Sequence, residues 1–144
     1  MKQAAPGIKF GFAGVLALCA MLAATLTASR AQQEELVERG RFLYRVYCQT
    51  CHGETGRGDG TTAGVMKLAP ADLTRLAAGE EGGEFPFSRV YRTIDGREEV
   101  RGHGEVGMPV WGLSFQELDR DIDQEDEVRG KILQLIEFLE SIQE

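Results

Sequence analysis

The chain holds three cysteines and two histidines among 144 residues, and no segment of useful length alternates apolar with polar side chains. Without that alternation a sheet protein is excluded and helices are expected. Cys19 falls in an apolar stretch near the N-terminus, so Cys48 and Cys51 are the only cysteines outside it. Two thiols are too few for a disulfide framework, and no βαβ setting accompanies them as in thioredoxin-like redox sites. A structural zinc takes four ligands; Cys48, Cys51 and His52 supply three, and His103 is the only other histidine. Basic residues are scarce as well, 16 Lys and Arg against 23 Asp and Glu, a net charge of −7. Phosphates would repel such a chain, which argues against a nucleic-acid partner.

What is present begins with export. Lys2 and Lys9 precede a run from Phe10 to Ser29 that carries no charge, and Ser29-Arg30-Ala31 ends it with small residues around Arg30. A basic start, an apolar middle and a small-x-small end describe a secretory signal peptide over residues 1–31. About twenty apolar residues can also span a bilayer, so a retained membrane anchor stays open, although the run is rich in Ala, Gly and Thr. Leu18 is too large for a lipoprotein cleavage site at Cys19, which reads as a small apolar residue of the leader. Removing residues 1–31 takes away Lys2, Lys9 and Arg30 and no acid, leaving 113 residues with 13 basic and 23 acidic side chains, net −10. That is enough for one domain, 32–144, with a modest core.

Helical spacing runs from Glu34 to Cys51, with Leu36, Val37, Leu43, Tyr44 and Tyr47 on one face. Gly40 interrupts it at a cost of about 1 kcal/mol relative to Ala, so either the slack is tolerated or another backbone comes close. A loop follows to Pro70; Asp72 caps a short helix over Leu73–Ala78; Glu80–Glu84 is a polar turn. Phe87–Ile94 is helical, and Asp95-Gly96 stops it. Residues 96–114, with five glycines and one proline, read as irregular. Glu117–Glu127 holds seven acids and one arginine and reads as a solvated connection. In the last helix Val128, Ile132, Leu135, Leu139 and Ile142 recur at spacings of four and three, a buried stripe that Phe138 widens.

Cys48-Gln-Thr-Cys51-His52 is the attachment signature of c-type haem. Residues three and four apart share a helix face, so both sulfurs can bond substituents at the edge of one flat macrocycle while the imidazole reaches its iron. A haem iron in an electron carrier takes a sixth ligand, and a thioether raises its potential. Outside the leader the methionines are Met66 and Met108. Met108 stands in an irregular glycine-rich loop, and Pro109 restricts it to an extended backbone; it is preferred to Met66, and His103 is the other candidate. Gly56-x-Gly58-x-Gly60 follows no strand and lacks the Lys-Ser/Thr of a phosphate loop, and Arg57-Gly58-Asp59 reads as solvated turn.

The chain resembles the class I cytochromes c, the small all-helical monohaem carriers of bacterial periplasm and mitochondria. Gly40 and Tyr44 stand eight and four residues before Cys48, where that family places a glycine and an aromatic that pack on its last helix; Leu135 and Phe138 match the answering Leu-x-x-aromatic pattern. "GMPVWG" is similar to the family's methionine loop, and "DLT" and "VYRTIDG" have bacterial counterparts. The resemblance implies an all-α fold, three to five helices wrapped around one covalently attached haem, with the N- and C-terminal helices packed together. It further implies thioethers at Cys48 and Cys51, axial ligands His52 and Met108, and a haem-edge or propionate role for Trp111 as against ordinary loop packing. An arginine near the propionates is expected, without a choice among Arg89, Arg97 and Arg101; Tyr91 is a weaker candidate. Many relatives place a proline after the haem motif whose carbonyl accepts the histidine's second N–H. Here Thr61 follows "GDG", which leaves that acceptor open.

The function implied is one-electron transfer in the periplasm, not enzymatic catalysis, with redox proteins as partners and a basic patch on them attracted to the acidic surface. The alternatives are a subunit dedicated to a dehydrogenase or oxidase, and a peroxidase or gas sensor with a labile Met108. Membrane attachment follows only if residues 10–29 are retained.

Overall fold

The final helix organises the structure, a computed structural model that describes residues 12–97, 108–117 and 124–144. The chain divides into two units, Met1–Glu34 and Glu35–Glu144. In chain order the described α-helices are α1 (Phe12–Tyr47), the single turn α2 (Gln49–His52), α3 (Phe87–Asp95), α4 (Trp111–Glu117) and α5 (Gln124–Ser141), with 3₁₀ turns between α2 and α3. No strand occurs among the described residues, so the all-α class stands.

The stripe on α5 is buried as its periodicity requires. Val128, Ile132, Leu135, Phe138 and Leu139 are all at most 4% exposed, and Ile136, absent from the predicted stripe, is fully buried beside them. Ile142 is only partly buried. Each such side chain contributes about 1.5–3 kcal/mol over its exposed state, which makes α5 the main source of core. Glu125, Asp126 and Glu127 occupy its first turn, where negative charge suits the helix dipole.

In the second unit α1 packs on α5 through one turn. Gly40, Leu43 and Tyr44 are buried, whereas Leu36, expected on the same face, is 38% exposed because the contact with α5 lies farther along. A Cβ built at Gly40 would stand 2.7 Å from the carbonyl carbon of Gln134 and 2.9 Å from Phe138 Cβ. Tyr44 and Phe138 pack at a tilt beyond it, ring centroids 5.0 Å apart. Gly40 is therefore the place where another backbone comes close. The helix also starts much earlier than Glu34, at Phe12, in a stretch of alanines and leucines with high helix propensity. In the first unit Val15, Leu18, Met21, Leu22 and Leu26 are all exposed. Among the described residues no helix is long and apolar enough to cross a membrane; the uncharged run begins at Phe10, outside them.

Two local expectations need correction. Asp72 does cap the next turn, its carboxylate accepting from Thr74 N at 2.9 Å and Thr74 Oγ1 at 2.6 Å, but the helix is two 3₁₀ turns, Leu73–Arg75 and Ala77–Gly79. The end of the segment expected to be irregular (96–114) holds the start of α4, whose seven residues include Gly112 and come just after Pro109. A helix so short has little periodicity to show. α3 ends as expected: Gly96 adopts a left-handed conformation (φ 65°) and donates to Arg92 O. His103 and Arg101 lie outside the described residues.

Candidate functional site

Cys48, Cys51 and His52 share one helical turn. Tyr44 O accepts from Cys48 N at 2.8 Å, and Cys48 O accepts from both Cys51 N (3.1 Å) and His52 N (2.9 Å). The turn ends at Gly53, whose φ of 85° suits only glycine. The buried Tyr44 hydroxyl donates to Gly53 O at 2.6 Å, which ties the end of the turn back to α1.

A one-turn helix leaves its last carbonyls without partners, and the glycine loop supplies them. Gly58 N donates to His52 O (2.8 Å), Gly60 N to Cys51 O (3.1 Å) and Thr62 N to Thr50 O (3.1 Å). Gly58, at φ 79°, lies so close to Pro70 that a side chain would meet its carbonyl. The glycines that resembled a phosphate loop thus let one backbone pass between α2 and the Pro70–Ala71 segment. Arg57 is engaged too, in an ion pair with Glu144.

The acceptor that the sequence left open is Ala71. His52 Nδ1 lies 3.1 Å from Ala71 O; with Nδ1 donating, Nε2 is the nitrogen that keeps a lone pair for a metal. Burial lowers the pKa of His52, and the bond to Ala71 opposes that shift without reversing it, which favours the neutral ring, the form in which imidazole binds metals. The loop directly after the motif, Gly53–Thr61, does not supply the acceptor. The contact instead comes from a segment nineteen residues along, and the only local signal was the "APADLT" run whose Asp72–Thr74 turn holds it.

Cys48, His52 and Met108 line one cavity of about 350 Å³. Leu73, Leu76, Val90, Ile94, Leu135 and Leu139 make its wall mostly aliphatic, and among the described residues Arg89 is the only arginine or lysine that lines it. Arg89 is half exposed, paired with Glu80 at 2.7 Å. The two thiols are free. Burial, and then the neighbouring Cys51, push the Cys48 thiol up to about 12; Cys51 Sγ accepts from Thr62 Oγ1 at 3.3 Å. Among the described residues no three His, Cys, Asp or Glu side chains converge as a metal site.

The other candidates lie apart from this cavity. Trp111 packs against Tyr47 (centroids 5.4 Å) and, within its own helix, against Phe115 (5.6 Å), joining α1 and α4. Arg97 is held by Asp95 and Glu125, Tyr91 packs against the core from its edge, and Met66 does not line the cavity. Around this cavity the described residues bring together the Cys48 thiol, the His52 imidazole, the Met108 thioether, an aliphatic wall and Arg89; Cys51, on the same turn, does not line it. In comparisons with known proteins, no family model, no curated protein and no solved structure matches the chain.

Proposed function

We propose that the protein is a one-electron carrier that holds a single haem c, attached through thioethers at Cys48 and Cys51 and ligated by His52 and Met108. The observation that carries this reading is the convergence of Cys48, His52 and Met108 on one aliphatic cavity. Bound there, the haem supplies a reversible one-electron change at its iron.

The chain's own residues do the rest. Cys48 and Cys51 anchor the macrocycle to one turn, and Ala71 O fixes the ring of His52 so that Nε2 faces outward from that bond. Met108 supplies a soft sulfur that favours the reduced state. The leucines and Ile94 exclude water, and Arg89 offers a guanidinium to anionic substituents. On this reading the contact of α1 with α5 at Gly40 is the helix pairing of a class I cytochrome c. Residues 1–31 are a signal peptide for export to the periplasm, or an anchor if retained. The excess of acidic side chains directs the protein toward redox partners with a basic patch.

The test is expression in a periplasm with haem-attachment machinery. The expected holoprotein keeps its haem under denaturing conditions, is low-spin, and shows the weak red absorption of a methionine–Fe(III) bond; Met108→Ala loses that absorption and lowers the potential. A high-spin native spectrum, or rapid CO binding by the reduced wild type, would replace electron transfer by the peroxidase or sensor reading. An unchanged spectrum in Met108→Ala would move the ligand to Met66 or His103.

A further inference from the structure

Asp95, Arg97 and Glu125 form a hydrogen-bonded chain beside the start of α4. Arg97 Nε donates to Asp95 Oδ1 at 2.7 Å, and Nη1 and Nη2 donate to the two carboxylate oxygens of Glu125 at 2.7 and 3.0 Å. Asp95 is the last residue of α3, and Glu125 stands in the first turn of α5. The side chains of Asp95 and Arg97 are 11% and 26% exposed, against 49% and 52% for the Arg57–Glu144 pair. The shielding lies at Asp95 and Arg97, and the two-pronged geometry at the half-exposed Glu125; together they hold Arg97 from two sides.

The start of α4 is pressed onto this chain. A Cβ at Gly112 would lie 2.7 Å from Arg97 Nε and from Asp95 O, and one at Gly96 would lie 3.3 Å from Val110 Cα. Val110 O accepts from Leu113 N at 3.1 Å and Ser114 N at 3.0 Å, so Val110 is where α4 begins. On the other flank Trp111 packs edge-on against Tyr47 of α1. Met108 is two residues before Val110 and lines the cavity, whereas Arg97 does not. The direction of the Met108 sulfur therefore depends on where the backbone of Val110–Gly112 is held.

We propose that Arg97 is a positioning residue for Met108: the Asp95–Arg97–Glu125 clamp holds the start of α4 against the end of α3 and so limits release of the Met108 thioether from the iron. The inference rests on the assignment of Met108 as the axial ligand. Arg97 acts through backbone position, so its loss changes how readily the thioether leaves and not what the ligand is.

The measurement is the rate at which imidazole displaces methionine in the ferric holoprotein, followed by loss of the weak red absorption. Arg97→Gln raises that rate roughly tenfold, because it removes a forked pair of charge-assisted bonds. Arg97→Lys keeps the charge without the fork, and Glu125→Gln keeps Arg97 on Asp95, so each raises the rate by roughly threefold. Arg57→Gln breaks an exposed pair elsewhere and leaves it unchanged. Wild-type rates in Arg97→Gln and Glu125→Gln, with the methionine absorption present, overturn the clamp and leave the ligand assignment standing. An equal rise in Arg57→Gln also overturns it, since general loosening then explains the effect. A wild type that never shows the absorption overturns the assignment and this inference together. If Arg97→Gln does not fold, Arg97→Lys and Glu125→Gln decide.

Discussion

Gly40 and Gln134 touch backbone to backbone: there is no room for even a methyl group between α1 and the carbonyl of Gln134 on α5. Alanine at position 40 is a better helix former by about 1 kcal/mol, yet overpacking of a tight contact costs about 1–3 kcal/mol or more. Gly40→Ala is therefore expected to lower stability, read as an earlier urea midpoint. A later midpoint would mean that the helices do not meet at this glycine.

Tyr44 has a polar end in the same contact, its hydroxyl bonded to Gly53 O. Tyr44→Phe leaves that carbonyl without its donor and is expected to cost about 1 kcal/mol at neutral pH. Burial above all raises the Tyr44 pKa well above its ordinary 10.0. A phenol whose folded pKa is raised contributes stability that is complete below its unfolded pKa and is lost as pH rises through and beyond it. Wild type should thus lose stability above about pH 10, and Tyr44→Phe should lose less over that range. Parallel pH curves for the two proteins would contradict this.

Asp72 supports His52 at one remove. It caps the Thr74 turn that comes directly after the Ala71 carbonyl. Asp72→Ala should lower stability as a lost cap and, in the proposed holoprotein, should raise the potential, because a looser bond to Ala71 leaves His52 a less basic ligand. The hydrogen bonds from the Thr74 hydroxyl and N–H depress the Asp72 pKa. Its contribution is therefore present above the ordinary carboxylate range and is lost as pH falls through and below about 4. Asp72→Asn should flatten that acid limb of the urea-midpoint curve; an unaltered limb would count against the cap.

Among the described residues Arg89 is the one cation of the cavity wall. A positive charge there favours the reduced, less positive site, so Arg89→Gln is expected to lower the potential by an amount on the order of tens of millivolts, limited by solvent and by Glu80. Arg75→Gln, at an exposed arginine that does not line the cavity, should change it far less. Equal shifts in the two variants would show that only net charge matters.

Much of this was legible in the chain itself because it depends on near neighbours. The stripe Val128, Ile132, Leu135, Leu139 comes from a period of 3.6 residues. The common turn of Cys48, Cys51 and His52 comes from a spacing of three and four, and the stop at Gly96 from its freedom to turn left-handed. Short elements were less legible: α4 carries one glycine in seven residues and begins just after a proline, so local propensity argued against it.

By itself, then, the sequence determined the all-helical class, the long apolar stripe of α5 and the cluster of two thiols and an imidazole, since each is a matter of residues within one or two turns. Only the tertiary structure decided which carbonyl holds His52, whether Gly40 is slack or contact, and which of the described arginines lines the cavity and which is locked to Asp95 and Glu125. Those choices depend on which distant backbones are brought together. Such pairings are selected by the packing of the whole core, not by any segment's own preference.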